Sequence, residues 1–357
     1  MAHCVLDSLV APGQPSLPDA EALISAPVDK SASSPELDHT TGDYKEASKL
    51  AKAVEEHVLS LNAAGPGDSA LATEAGIACL QLLSLLPSCC LDDSTLLKVV
   101  ACTDARDAWT TGKAASVASD LLQAQLTKER LDDFVVGPVL QAFLKPLFAK
   151  SSSRVTESGR PNHYYGTTDP RHQHAKTTSW KSDAPWAMST ARWAVGVSKP
   201  SFLQNNWHLF TPVLLALAED ESSEVKSRGL EILASFVTRC PPAVLQTTGI
   251  SLVFEDLAFP ALLHLPSITP VDESIKLLVP AFQVLINLAE ISQSPQSPER
   301  RRLLDKVLRE GVFAAYFHAS QYVRLVQVLV ESMESIIKCL GIYSTKHLKV
   351  QNTALSK

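Results

Sequence analysis

The sequence predicts an all-α fold, a solenoid of stacked helical hairpins behind a disordered N-terminal tail, and three observations carry that prediction. The stretch from Trp207 to Cys240, WHLFTPVLLALAEDESSEVKSRGLEILASFVTRC, reads as two helices joined by a tight acidic turn. Stripes of the same kind follow it, with second helices starting near Glu224, Asp272 and Gln321, close to the ~40–47-residue period of paired-helix repeats. Upstream of Lys150, apolar residues recur at helical spacing in one segment after another. One hairpin cannot bury its apolar side alone, so each predicts a neighbour of its own kind.

In the first hairpin, Phe210, Val213, Leu214 and Leu217 recur at helical spacing and polar Asp220 to Ser223 make the turn. The second helix places Val225, Gly229, Ile232, Leu233, Phe236 and Cys240 on one face, and Glu224, Ser227, Arg228, Glu231 and Ser235 on the other. Pro212, Asp220, Val225, a basic residue and small Gly229 follow the pattern of a HEAT repeat. Lys226 stands where arginine is usual. It is expected to reach an acidic group near the turn, as a point charge rather than a planar fork.

Beyond a break at Pro241, Pro242 and Gly249, the spacing predicts a helix carrying Leu252, Val253, Leu257, Leu262, Leu263 and Leu265, bent near Pro260. Its partner spans about Asp272 to Ile291, with Ile275, Leu278, Phe282, Leu285, Ile286 and Ala289 buried. A third hairpin pairs Leu303, Leu304, Val307, Leu308, Val312 and Phe313 with Val323, Val326, Val330, Met333, Ile337 and Leu340. That last stripe also fits a coiled coil, but Leu325, Val328, Leu329 and Ile336 widen its apolar face, which favours a buried solenoid helix.

Residues 1–42 are rich in Pro, Ser and Ala and are expected to be a disordered tail. Residues 43–149 are expected to form an N-terminal helical region. Its first helix carries Leu50, Ala51, Val54, Val58 and Leu61 and ends at Gly65 to Gly67. The second runs from Leu71 to Leu86, with Ile77, Leu80, Leu83 and Leu86 as its apolar positions and Pro87 as its stop. Shorter helices at Leu96–Ala101 and Ala114–Leu126 precede one at Leu131–Phe148, which Pro138 and Pro146 are expected to bend. Residues 150–184 form a basic polar loop, and 185–357 the HEAT-like domain.

With 357 residues and 45% hydrophobic content, the chain has material for a sizeable core. A net charge of −6 and a pI near 5.9 give no basic field over the whole chain, which argues against a nucleic-acid partner. Cys79, Cys102, Cys240 and Cys339 sit in apolar helical runs, and adjacent Cys89 and Cys90 lack a second pair, so structural reduced thiols and an intracellular setting are expected. No basic region precedes the first apolar run, and no charge-free segment is long enough to span a bilayer.

Chemistry-bearing motifs are scarce. There is no Gly-rich phosphate loop, no GxSxG and no HExxH, so no catalytic, cofactor or metal site is expected. Asp92 with Asp93 and Asp132 with Asp133 sit near expected helix starts and read as caps. In the basic loop, His163, His172 and His174 lack a scaffold for a metal. Arg154, Arg160, Arg171 and Lys176 with Tyr164 and Tyr165 read as a solvated surface, or as the contact of a nuclear-transport or nucleic-acid adaptor. Trp180, Trp186, Trp193 and Trp207 crowd into a short span beside Lys181. The seven-residue step from Trp186 to Trp193 favours packing against the first hairpin, whereas any outward-facing member would suit partner binding. Ser294 and Ser297, each before proline, are candidate phosphorylation sites, with Ser297 also placed to cap the following helix.

The segments WKSDAPW, NNWHLFTPVLLALAED, TGISLVFEDLAFPALLHLPS and GIYSTKHLK together resemble the Tel-two-interacting protein two family, the smallest subunit of the TTT co-chaperone complex, over about Trp180 to Lys349. The resemblance implies a non-catalytic α-solenoid that binds the two other TTT subunits, chiefly the large HEAT-repeat one. It implies work with the heat-shock chaperone ninety system in maturing PI3-kinase-related kinases, in cytoplasm and nucleus. Family members continue past the KHLK motif with further helices, so a C-terminus truncated relative to the family is expected here.

Overall fold

The structure, a computed structural model, describes residues 41–57, 68–86, 90–148, 179–291 and 297–347. Residues 1–40 of the expected 1–42 tail, most of the basic loop, and Ser294 lie outside them, and Thr41 and Gly42 open the first helix instead of ending the tail. Every regular element among the described residues is helical, and the chain divides into two compact units, Met1–Leu131 and Asp132–Lys357.

The first unit holds α1 (Thr41–His57), α2 (Asp68–Ser84), α3 (Asp93–Ala101) and α4 (Gly112–Gln125). Asp92 caps α3 by accepting the Thr95 N–H at 2.9 Å, and Thr111 caps α4 by accepting the Ala114 N–H at 3.1 Å. Small Ala114, Ala115 and Ala118 on α4 are buried, as are Ile77, Leu80 and Leu83 of α2, and these two helices pack on each other. Leu86, expected in the core, is instead 44% exposed, because it lies past the last turn of α2.

The chain crosses into the second unit along α5 (Lys128–Phe134), which runs on through a π-helical stretch at Val135–Leu144 into α6 (Lys145–Phe148). Proline lacks an N–H and crowds the preceding turn, and the wider π register takes in Pro138 without ending the helix. The helix starts at Lys128 rather than Leu131, so Asp132 and Asp133 lie a turn inside it and are not caps.

Next come α7 (Ser179–Asp183), α8 (Ala187–Val197), α9 (Pro200–Ala218) and α10 (Ser223–Arg239). Helices α9 and α10 are the first hairpin, and α10 also packs along α13 (Val271–Glu290). Ser227, expected on the wet face, is therefore buried and donates to the Lys276 carbonyl at 2.7 Å. The expected break after Cys240 contains a short helix, α11 (Pro242–Thr248), closed by Gly249 at φ 73°, a left-handed conformation that glycine adopts at little cost. Helix α12 (Ile250–Ala258) tightens into a 3₁₀ segment, Phe259–Leu263, at the expected Pro260. Leu252 and Leu263, expected inside, are 66% and 58% exposed. Helix α13 is buried around most of its circumference, with Leu277, Ala281, Val284 and Leu288 added to the expected stripe, because α10, α12 and α16 all contact it.

The third hairpin pairs α14 (Pro298–Lys306), a π stretch at Val307–Phe313 and α15 (Ala314–Ala319) with α16 (Val323–Leu340). Here the expected stripe is largely the wrong one. Leu325, Leu329, Ser332, Met333, Ile336 and Leu340 are buried, whereas Val323 and Val330 are exposed and Val326 and Ile337 half-buried. Arg324 donates to Asp272 at 2.5 Å and the Cys339 thiol meets Glu290 at 3.2 Å, which sets that side of α16 against α13. The apolar arc of α16 is wider than the described helices cover.

One close approach sets the pitch of the first hairpin. A Cβ added at Gly229 would lie 2.6 Å from the Leu217 carbonyl carbon and 2.8 Å from the Ala218 nitrogen. Both are backbone atoms, which cannot move aside without shifting α9. Gly229→Ala should therefore lower the unfolding free energy by about 2 kcal/mol or more, although alanine is the better helix former. Urea denaturation of the two proteins measures the difference, and an unchanged midpoint would remove this account of the pitch.

Candidate partner-binding region

Three of the four clustered tryptophans meet a phenylalanine of the preceding long helix. Trp180 packs on Phe148 with ring centroids 5.5 Å apart, Trp186 stacks on Phe143 at 3.9 Å and 5° between planes, and Trp193 meets Phe134 edge-on at 6.0 Å. Tryptophan number rises as phenylalanine number falls, so the 179–197 segment runs back along 134–148 with one aromatic contact per step. Trp180 and Trp186 are 2% and 5% exposed, while Trp193 and Trp207 are half-buried. The indole N–H of Trp180 has no acceptor among the described residues.

Lys181 continues the lock. Its Nζ lies 2.7 Å from Asp220 Oδ1, an oxygen that also accepts the Ser222 N–H at 2.8 Å. Asp220 is 8% exposed, so its carboxylate is a buried charge held by one cation and one backbone donor at the α9–α10 turn. Lys226 is expected only to reach an acidic group near the turn, and the cation on Asp220 is Lys181. The reason is that Asp220 faces the helix before the hairpin. On the next turn of α10, Arg228 donates to Ser189 at 3.3 Å and adds a tie to α8.

Trp207 differs from the other three. Among the described residues no phenylalanine ring pairs with it, and its ring lies 6.1 Å from His208, nearly perpendicular to it. Both side chains are half-buried on α9. Burial first, and then the Lys145 charge, hold the His208 pKa below the usual histidine range, so the surface here carries a neutral imidazole beside an indole. An indole beside a neutral imidazole, both half-buried, can take a protein side chain by stacking.

A second tie fixes the GIYSTKHLK segment. The 3₁₀ stretch Gly341–His347 follows α16, and His347, which is buried, meets Asp305 of α14 at 3.0 Å while Lys346 pairs with the other oxygen of the same carboxylate. Arg301 of α14 lies over the Tyr343 ring, 4.4 Å from its centroid. Ser297 caps α14 as its sequence suggests, accepting the Arg300 N–H at 3.4 Å and donating to Glu299 at 2.5 Å. Cys102 and Cys240, both buried and free, have thiol pKa values pushed up to about 12, chiefly by burial, which leaves them unreactive at neutral pH. His163, His172, His174 and the Arg154–Lys176 stretch of the basic loop lie outside the described residues.

The segments that hold Trp180, Trp207 and the 341–347 tie are those whose sequence resembles one family, and a family model tests the resemblance directly. The model described as the Tti2 family matches residues 95–357. The chain belongs to that family. Tti2 membership extends the likeness upstream of Trp180, through α3, α4 and the 128–148 helix, which the sequence motifs alone had not reached. It supports a general role as a subunit of the TTT complex. No solved structure matches the chain.

The aromatic ladder and the carboxylate tie each make a measurable prediction. Trp186→Ala should cost about 3–5 kcal/mol, the range for emptying a buried aromatic site, and thermal unfolding would show it. Burial raises the Asp305 pKa, but hydrogen bonds from His347 and Lys346 and their charges outweigh it, so the folded value lies below the ordinary one. That contribution is fully present above the unfolded carboxylate pKa and is lost as pH falls through the folded value. Asp305→Asn should thus be less stable at pH 7 by about 1–2 kcal/mol, with the gap closing as pH falls below the ordinary carboxylate range. A gap independent of pH would contradict the assignment.

Proposed function

We propose that the chain is a non-catalytic scaffold subunit of the TTT co-chaperone complex. In this reading it binds the two other subunits, chiefly the large HEAT-repeat one. With the heat-shock chaperone ninety system it supports the maturation and stability of PI3-kinase-related kinases, and through them DNA-damage signalling, telomere maintenance and growth control. Cytoplasm and nucleus are the compartments in which that work is done. The observation that carries the reading is the family match over residues 95–357.

The fold supports it physically. Stacked hairpins offer long ridged surfaces of fixed side chains, which suit the docking of another helical repeat better than the enclosure of a substrate. Among the four tryptophans, Trp180 and Trp186 serve by bracing the surface from beneath, and Lys181 by holding the α9–α10 turn. Trp207, with Trp193 as the second half-buried member, offers the contact itself.

Affinity purification of the tagged chain from its own cells, read by mass spectrometry at moderate and high salt, tests this. Two other TTT subunits should be recovered, with a PI3-kinase-related kinase in smaller amount. Trp207→Ala should reduce that recovery about tenfold, the effect of truncating a binding hot spot, while leaving the melting temperature within about 2 °C. Absence of both subunits at either salt concentration would overturn the reading. Full recovery with the variant would move the contact away from Trp207.

A further inference from the structure

Helix α2 is apolar on two faces. One is buried in its own unit through Thr73, Ile77, Cys79, Leu80 and Leu83. The other carries Leu71, Ala75, Ala78, Leu82 and Leu85, at successive steps of four, three, four and three residues, which is the seam spacing of a coiled coil. This second seam faces outward among the described residues. Leu71 is 52% exposed, Leu82 46% and Leu85 60%, with neighbouring Leu86 at 44%, while Ala75 and Ala78 are half-buried. Leu85 stays in line beyond the end of α2 because its N–H bonds the Leu82 carbonyl at 3.2 Å.

We infer that this seam binds the same seam of a second copy of the chain, antiparallel. Two features select that occupant. The first is size pattern: over Leu71 to Leu82, leucine, alanine, alanine, leucine reads the same in both directions, with Leu85 lying outside the symmetric part. Laid antiparallel about the midpoint of Ala75 and Ala78, Leu71 meets Leu82 of the second copy and Ala75 meets Ala78 of the second copy. Large residues then meet at the ends, and small ones at the centre let the helix axes approach to about 8 Å. The second is charge. None of Leu71, Ala75, Ala78, Leu82 and Leu85 is charged, and Glu74 beside them is held by the Thr111 hydroxyl of its own unit, so the centre of the face does not repel itself; position 68, an aspartate, falls opposite Leu85 of the second copy at the edge.

A face spanning the length of α2 buries on the order of 1,000 Å² in total when paired with its copy, at the lower end of specific interfaces. The dimer is accordingly weak and concentration-dependent. Residues 68–86 precede the family match, so this surface goes beyond the proposed TTT role and does not rest on it.

Sedimentation velocity of the purified full chain over about 1–100 μM, the range in which a weak dimer assembles, reads the inference directly. The mass should rise from 38.6 kDa toward twice that value. Leu82→Glu should weaken association by at least about 100-fold, with an unchanged helical circular-dichroism spectrum because Leu82 is partly exposed. Adding Leu71→Lys to it should restore association, since each new cation then faces a new anion. A wild type that stays monomeric at the highest concentration would overturn the inference, as would association that survives Leu82→Glu. Failure of the double variant to recover would overturn the antiparallel pairing. None of these outcomes bears on the recovery of TTT subunits from cells, so the two readings stand or fall apart.

Discussion

The close contact between α9 and α10 at Gly229 is the constraint on which the second unit depends. With no side chain there, the backbone of α10 approaches Leu217 and Ala218 closely enough to close the hairpin, and Phe210 and Phe236 pack at 5.7 Å beside it. That spacing leaves the far side of α10 available to α13, where Ser227 and Asn287 tie the two helices through the Lys276 and Ala234 carbonyls. Gly311 is closely covered one layer on, but by side chains rather than backbone: an added Cβ would meet Leu262 Cδ1 at 2.8 Å and Phe282 Cε1 at 3.2 Å. The first hairpin has little slack, because the missing Cβ at Gly229 defines how closely its two helices approach.

The region before the hairpin is held in a different way. Aromatic pairs set the register of 179–197 against 134–148, and the Lys181–Asp220 ion pair connects that segment to the turn of the stack. Asp220 is the residue a HEAT pattern expects, but its cation comes from outside the repeat. This couples the tryptophan segment to the solenoid, so a surface containing Trp207 is backed by fixed elements on both sides. Rigid support lowers the ordering cost of binding a partner.

Helices α2 and α16 share a property. Each is apolar over more of its circumference than its neighbours cover, with Leu71, Leu82 and Leu85 exposed on one and Val323 and Val330 on the other. Exposed single leucines are ordinary, but a seam with coiled-coil spacing is an invitation to another helix. On α2 the pattern from Leu71 to Leu82 is its own complement, which is the ground for proposing a second copy as the occupant. On α16 no such pattern identifies one.

By itself the sequence determined the class of fold, the first hairpin, the caps at Asp92 and Ser297, and the family. These are legible because helical periodicity, cap chemistry and motif wording are local properties of the chain. Which apolar stripe of a two-striped helix turns inward was decided only by tertiary structure. Leu325 and Leu329 won over Val323 and Val330 because α13 and the 298–319 helices lie on that side, and periodicity is blind to neighbours. The same holds for Ser227, polar by type and buried by the arrival of α13, and for Lys181, which reaches Asp220 across 39 positions of sequence. The one sign of the aromatic ladder available in sequence was Phe134, Phe143 and Phe148 standing ahead of Trp180, Trp186 and Trp193. Their pairing needs the two segments to run antiparallel, and only the packed chain brings that about.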